Sequence, residues 1–286
     1  MVRSIPPCPF AVEELIPELA GHARTTTLLY PRAGTPGVRD SSVGGPLLWP
    51  ADEPWPVCPG AGHDAMVPVV QLFARDVPEL LFPAGTDLLQ IVWCPCLHDD
   101  RDEWVALPRL YWRDAADVSA TGLLADPPRP SAYDEDFLPR PCTVSPTPAL
   151  EYPNWDMPEG LSGTLGERFE EIEAATGHSY YDVATTIQSK VGGYPGWTQP
   201  PDWPDCACGR RMEHLLSITA AEPAHGRCLP YDDHAAGGDR PVWLTEADPA
   251  VEDGIGHGMD MGDLGGIYFF VCRHCPETPY AYRYDC

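Results

Sequence analysis

Val43-Gly44-Gly45-Pro46-Leu47-Leu48-Trp49-Pro50, followed by Trp55-Pro56-Val57-Cys58, returns later in the chain as Val191-Gly192-Gly193-Tyr194-Pro195-Gly196-Trp197, followed by Trp203-Pro204-Asp205-Cys206. The offsets agree: five residues from Gly44 to Trp49 and from Gly192 to Trp197, and fourteen from Gly44 to Cys58 and from Gly192 to Cys206. The match runs on. Met66 opens the apolar run Val67-Pro-Val-Val-Gln-Leu-Phe73, and Met212 opens Glu213-His-Leu-Leu-Ser-Ile218. Gly85-Thr-Asp87 leads into Leu88-Leu-Gln-Ile-Val-Trp93-Cys94, as Gly262-Asp263 leads into Leu264-Gly-Gly-Ile-Tyr-Phe-Phe-Val271-Cys272. One Gly-Gly-Pro turn is ordinary. Two copies with matched downstream offsets imply an internal duplication.

Short apolar runs behind Gly-Asp turns read as buried strands: residues 88–93, 267–271, 69–73 and 215–218. Residues 25–30, 104–112 and 280–284 read the same way, with Pro108 placing its strand at a sheet edge. Helix signals are few. Residues 9–20 carry Phe10, Val12, Leu15, Ile16 and Leu19 at helical spacing, with Pro17 as a kink. Residues 165–177 place Phe169, Ile172 and Ala175 on one face and stop at Gly177, and residues 181–189 suggest a second short helix. The expected fold is α+β and β-rich, a single domain over 1–286 made of two repeated β-units with a few helices. The first repeat spans 25–115, a Pro- and Asp-rich linker 116–165, and helices with the second repeat 166–286. Residues 220–260, rich in Gly, Asp and Pro, read as a surface loop.

Composition narrows the function. Forty-three acidic residues against 18 basic ones give a formal charge of −25, and Lys190 is the only lysine. A phosphate-backbone binder needs clustered Lys and Arg, so nucleic acid is not an expected partner. No apolar run approaches the ~20 residues of a membrane span, and the first residues lack an export pattern, so the expected setting is cytoplasmic.

The chain has 11 cysteines. In a reducing compartment metal or catalytic roles are favoured over disulfides. Cys8, Cys142, Cys228 and Cys286 stand alone and read as plain thiols. Cys206-Ala-Cys208-Gly209 and Cys272-Arg-His-Cys275 pair up as a tetrahedral four-cysteine zinc site, although Cys206-x-Cys208 is tighter than the usual spacing. In the first repeat the counterparts are Cys58 and Cys94. His63 stands in for Cys208, and either Cys96 or His98 for Cys275, with His98 favoured by its spacing. Structural zinc, one or two ions, is therefore the expected cofactor. Cys272-x-x-Cys275 could also pass for a redox pair, but Pro276 and Glu277 do nothing to lower a thiol pKa. His22, His178, His214, His225, His234 and His257 follow no ligand or triad spacing, and no nucleophile elbow, P-loop or dinucleotide fingerprint occurs.

Gly44-Gly45-Pro46, Met66 through Gln71-Leu72 and Gly85-Thr-Asp87 resemble the YwqG-like domain, a bacterial family of unknown function. Gly192-Gly193-Tyr194-Pro195-Gly196-Trp197, Cys206-x-Cys208-Gly209, Met212, Leu215-Leu216 and Cys272-x-x-Cys275 resemble its eukaryotic relatives of the programmed cell death protein 2 type. The resemblance covers roughly residues 25–284 and carries over only the cysteines, as zinc ligands. It implies a non-enzymatic protein-binding role, as a chaperone or immunity-type partner of a basic protein. The acidic charge fits a basic protein or peptide independently, although solubility or life in high salt accounts for such charge equally. The rings of Trp49, Trp55, Trp197 and Trp203, beside rigid Gly/Pro turns, are the candidate peptide-binding surface. They are expected to line a groove between the halves together with carboxylates. The alternative is a hydrolase or redox enzyme that uses a cysteine or a zinc-bound water.

Overall fold

The structure is a computed structural model and describes residues 11–286 except 61, 63, 99–105, 121, 183, 221, 223–255 and 263–264. Its described strands form two six-stranded antiparallel sheets. The first contains β2 (Arg32–Ala33), β7 (Cys142–Thr143), β3 (Ser42–Val43), β4 (Val67–Phe73), β5 (Leu88–Cys94) and β6 (Leu107–Arg113), in that order. The second contains β8 (Thr147–Glu151), β1 (Arg24–Leu28), β9 (Lys190–Gly192), β10 (Glu213–Thr219), β11 (Gly266–Val271) and β12 (Tyr280–Asp285). The apolar runs became strands, and Pro108 does lie on an edge strand, β6.

The registers of the two sheets correspond residue for residue. Ser42 and Val43 face Gln71 and Val70, as Lys190 and Val191 face Ser217 and Leu216. β4 and β10 are both irregular at their second to fourth residues against the neighbouring strand. That bulge brings two consecutive side chains, Val69–Val70 and Leu215–Leu216, into the same buried cluster. Ile91 and Trp93 join it from the first sheet and Phe269 and Val271 from the second, so the sheets share one core. The alternate residues point the other way. Val92 and Cys94 pack with Trp49, Trp55, Cys58 and Met66 outside the first sheet. Tyr268, Phe270 and Cys272 pack with Trp197, Cys206 and Met212 outside the second. Each sheet is thus covered on both faces, and its central strands read as continuous apolar runs instead of alternating ones.

The Trp-bearing segments are held at matching atoms by unlike chemistry. In the first, the Gln90 amide donates to the Leu48 carbonyl at 2.8 Å and the Arg113 Nε donates to the Gln90 Oε1 at 2.9 Å. In the second, at the corresponding strand positions, the Tyr268 hydroxyl donates to the Gly196 carbonyl at 2.6 Å and lies 3.1 Å from an oxygen of Asp285. Behind the Trp pairs the Met66 amide donates to the Pro56 carbonyl at 3.0 Å, and the Met212 amide to the Pro204 carbonyl at 2.9 Å.

A third cluster lies to one side. α1 (Val12–Leu15) and the single 3-10 turn Pro17–Leu19 supply Val12, Ile16 and Leu19, the break falling at Pro17 as the sequence predicts. A second helix, α2 (Ala115–Ala120), follows β6. α3 (Leu161–Thr176) ends on Gly177 in the left-handed region and adds Leu165 and Ile172 to the third cluster.

Three expectations need correction. Among the described residues, 181–189 do not form the expected helix, and the helical element there is a 3-10 turn at Tyr180–Asp182. Beyond one turn closed by the Ala184 amide on the Tyr180 carbonyl at 3.0 Å, Thr185 donates to the carbonyl of Tyr152, just after β8, and the Thr186 amide to Glu151 in β8, so the segment is bound to that strand instead of continuing as a helix. Residues 116–165 are more than a linker, because β7 and β8 supply a strand to each sheet. β1, assigned to the first repeat, sits in the second sheet between β8 and β9. The expected loop at 220–260 falls largely outside the described residues. Among the described residues no helix is long and apolar enough to cross a membrane.

Candidate metal centres and an adjoining cavity

Cys206 ends a tight reversal. Its amide donates to the Arg210 carbonyl at 2.8 Å, the Gly209 amide returns to the Cys206 carbonyl at 2.8 Å, and Asp205 bridges Arg211. Gly209 sits at φ +81°, a backbone that side chains other than glycine adopt reluctantly, and this lets two cysteines one residue apart serve one centre. The second arm leaves β11. The Cys272 amide donates to the Pro279 carbonyl at 2.9 Å, and the Thr278 amide to the Cys275 carbonyl at 3.0 Å. These two turns bring four sulfurs together: Cys206 to Cys275 is 3.8 Å, Cys208 to Cys272 3.7 Å and Cys272 to Cys275 3.9 Å. A tetrahedron of ~2.3 Å metal–sulfur bonds has edges of about 3.8 Å, so the set fits a divalent ion. None of the nine described cysteines forms a disulfide.

The thiols are electrostatically tied. Burial alone would push Cys272 up, but the amides of Cys275 and His274 and the neighbouring thiols outweigh it and hold it at about 7. Hydrogen bonds from Cys208 and Cys206, then burial, push Cys275 to about 12. Near neutral pH Cys275 is therefore protonated in the metal-free cluster, and a metal ion would release its proton on binding.

In the first sheet Cys58, Cys94 and His98 converge, all three buried, with the Cys58 sulfur 3.3 Å from His98 Nε2. The turn repeats that of Cys206: the Cys58 amide donates to the Asp64 carbonyl at 2.8 Å, and Val57 bridges Ala65. Burial and then the Cys58 thiol push Cys94 far above its ordinary value. Cys96 is not in the group and its sulfur faces the Ala132 carbonyl, so the choice between Cys96 and His98 falls to His98. His63 lies outside the described residues. Of the lone cysteines, Cys142 is buried, its sulfur on the Gly256 carbonyl, and burial raises it to about 11. Cys286 is exposed, and Cys8 and Cys228 lie outside the described residues.

Of the four tryptophans expected to form a peptide-binding rim, three are sealed. Trp49, Trp55 and Trp197 are at most 9 % exposed and pack on one another's neighbours: Trp49 on Trp55 and Tyr111, Trp197 on Tyr268 and Phe270. Their bulk cements the outer faces of the sheets, which is how large aromatic area is ordinarily used. Trp203 alone of the four reaches an open cavity of about 1180 Å³. Its floor is the Gly193–Tyr194 turn, and its walls are residues 155–158, 201–203 and 211–214. Sequence reasoning missed Trp155, which is 51 % exposed there, because it lay in the segment taken for a linker. His214, also in the wall, has both ring nitrogens occupied, by the Gly192 carbonyl at 2.9 Å and the Ser217 hydroxyl at 2.8 Å. Burial lowers it to about 3, so it stays neutral.

No protein-family model matches the chain, and no curated protein matches it.

Proposed function

We propose that the chain is a zinc-stabilised, non-enzymatic binding module for a basic protein or peptide, built by internal duplication and related to the YwqG-like domains. The convergence of Cys206, Cys208, Cys272 and Cys275 carries the reading, since their sulfurs lie 3.7–3.9 Å apart. Four thiolates fill a tetrahedral ion and leave no position for substrate, which marks a structural centre and not a catalytic one. The equal registers of β3–β6 and β9–β12 support the duplication. The −25 charge supports a basic partner, because an acidic surface steers cations toward it and repels anionic ones.

The second reading is a zinc hydrolase, and it rests on the Cys58–Cys94–His98 group, where three described ligands leave one tetrahedral position to another group. Burial of all three favours a structural ion there too. Elemental analysis of the purified protein is expected to find two zinc ions per chain. His98→Ala is expected to leave one ion and an unchanged four-thiol centre. One ion in both proteins would remove the first site.

Binding to the basic partner is expected to weaken at least about tenfold between roughly 0.05 and 0.5 M salt, as exposed attraction is screened over ~10 Å or less. Pull-down from cells of the source, identification of the bound proteins, and titration of the purified pair would measure it. A partner held equally well at both salts would leave the charge as a matter of solubility.

A further inference from the structure

The cavity beside the four-thiol centre has a local charge balance unlike that of the whole protein. Three carboxylates line it, and each is already engaged. Asp202 accepts from Arg283 Nε at 2.5 Å, and Glu213 lies 3.3 Å from Arg273 Nε. Asp156 accepts from the Trp203 indole N–H at 2.5 Å, and its single charge is shared between Arg211 and Arg24, which leaves the two guanidiniums one positive charge in excess. The cations are less committed. Arg24 is exposed and lays its guanidinium over the Tyr194 ring at 4.0 Å, and among the described residues no carboxylate forms an ion pair with it. Arg211 lies over Trp203 at 4.0 Å, and its nearest carboxylate oxygen, on Asp156, is 3.6 Å away, beyond a good hydrogen bond.

A guanidinium stacked on a ring keeps its in-plane N–H edge available, and that edge matches the two oxygens of a carboxylate or phosphate. The ring beneath fixes the plane, so little entropy is lost on binding. Tyr194 is itself anchored: its amide donates to Glu151 at 3.1 Å and its hydroxyl to the His22 carbonyl at 2.7 Å. Beside the two guanidiniums the half-exposed indole of Trp155 offers a flat apolar face. The volume, about 1180 Å³, is ample for a small molecule.

We infer that this cavity binds an oxyanion carried on a flat apolar body, an aryl carboxylate or aryl phosphate, with Arg24 and Arg211 gripping the anion and Trp155 covering the ring. The inference does not rest on the basic-partner reading, so its failure would leave that reading intact.

The test is calorimetric titration of the metal-loaded protein with 2-naphthoate, its neutral isostere 2-naphthamide, and phenyl phosphate. Naphthoate is expected to bind at least about tenfold tighter than the amide, in line with charge-assisted hydrogen bonds to an ionised group. Whichever of naphthoate and phenyl phosphate binds tighter identifies the oxyanion. Arg24→Gln, at an exposed position, is expected to bring acid and amide to parity, and Arg24→Lys to keep part of the preference. Arg168→Gln, which loses only the exposed pair with Glu18, is expected to change nothing. Equal binding of acid and amide by the unaltered protein, no binding of any anion at millimolar concentration, or a preference that survives the Arg24→Gln/Arg211→Gln pair would overturn the inference.

Discussion

Chelation at the proposed zinc centre of Cys206, Cys208, Cys272 and Cys275, or replacing Cys272 by Ser, is expected to lower the thermal midpoint by roughly 10–20 °C. A structural zinc ion contributes about 10–16 kcal/mol of binding free energy, as much as the whole net stability of an ordinary domain. Only part of that is lost, since the shared core of the two sheets contains none of the four cysteines. A loss of several kcal/mol moves the midpoint of a chain this long by about 2–4 °C per kcal/mol. The damage should be local first. Cys206 and Cys272 pack in one cluster with Trp197, Met212 and Phe270, and Trp203 and Cys275 lie against it. Without the ion, four thiols crowd together, and the turns at 206–211 and 272–279 lose their tie. Calorimetry with and without a strong chelator, run beside a colorimetric thiol count, would show it. The four thiols should become reactive together as the metal leaves, and the indole emission should shift toward the red. A purified protein without zinc, whose midpoint ignores the chelator, would sink both the centre and the function built on it.

How far the sequence reveals this architecture depends on which forces act locally. The central strands are legible because burial on both faces turns β4, β5, β10 and β11 into apolar runs bounded by turn residues. α3 is legible because Gly177 supplies the left-handed cap, φ +75°, that ends it. The four-cysteine set is legible from two motif spacings, and the short gap at Cys206-x-Cys208 works because Gly209 adopts a positive φ. Partner choice is another matter. Nothing local to residues 24–28 says that β1 pairs with β8 and β9 and not with the strands that follow it. β7, two residues long and beside Pro141, carries no pattern at all, and its place is set by neighbours distant in the chain. The tryptophans show the same limit from the other side. Spacing marks Trp49 and Trp197 as equivalent, but only the packing shows that both rings are sealed while Trp155, outside both Gly-Gly-Trp segments, is exposed.

The only lysine in the chain, Lys190, is buried with a carboxylate, and breaking that pair is expected to cost about 3–5 kcal/mol. Lys190 Nζ lies 2.6 Å from Glu151 Oε1, with side-chain exposures of 0 % and 1 %. The pair bridges β8 and β9 across β1, which lies between them. Glu151 does more than neutralise the lysine: it accepts the Thr186 amide at 3.0 Å and the Tyr194 amide at 3.1 Å. Gly193 is part of the same device. Its φ is +69°, and a Cβ there would lie 2.3 Å from Glu151 Oε2, so the carboxylate occupies the space a side chain would need. The pair therefore shapes the turn that floors the cavity, at the place where the first sheet has Ser42 and a glutamine network instead. Lys190→Met removes the cation and leaves a buried carboxylate held by the amides of Thr186 and Tyr194 without its counter-charge, an expensive state. Adding Glu151→Gln removes the stranded charge and keeps an oxygen for one of the two amides, since Thr186 donates to Oε1 and Tyr194 to Oε2, while the new side-chain NH2 faces the other. The double variant should therefore recover part of the loss, roughly 1–2 kcal/mol, because neutralising a stranded buried charge outweighs one amide left facing a donor. Urea unfolding of the metal-loaded proteins reads both numbers. Should Lys190→Met fail to fold, the double variant alone still decides. A single variant within about 1 kcal/mol of the parent, inside the range of an exposed pair, would show that the ion pair does not hold the turn. So would a double variant no more stable than the single one.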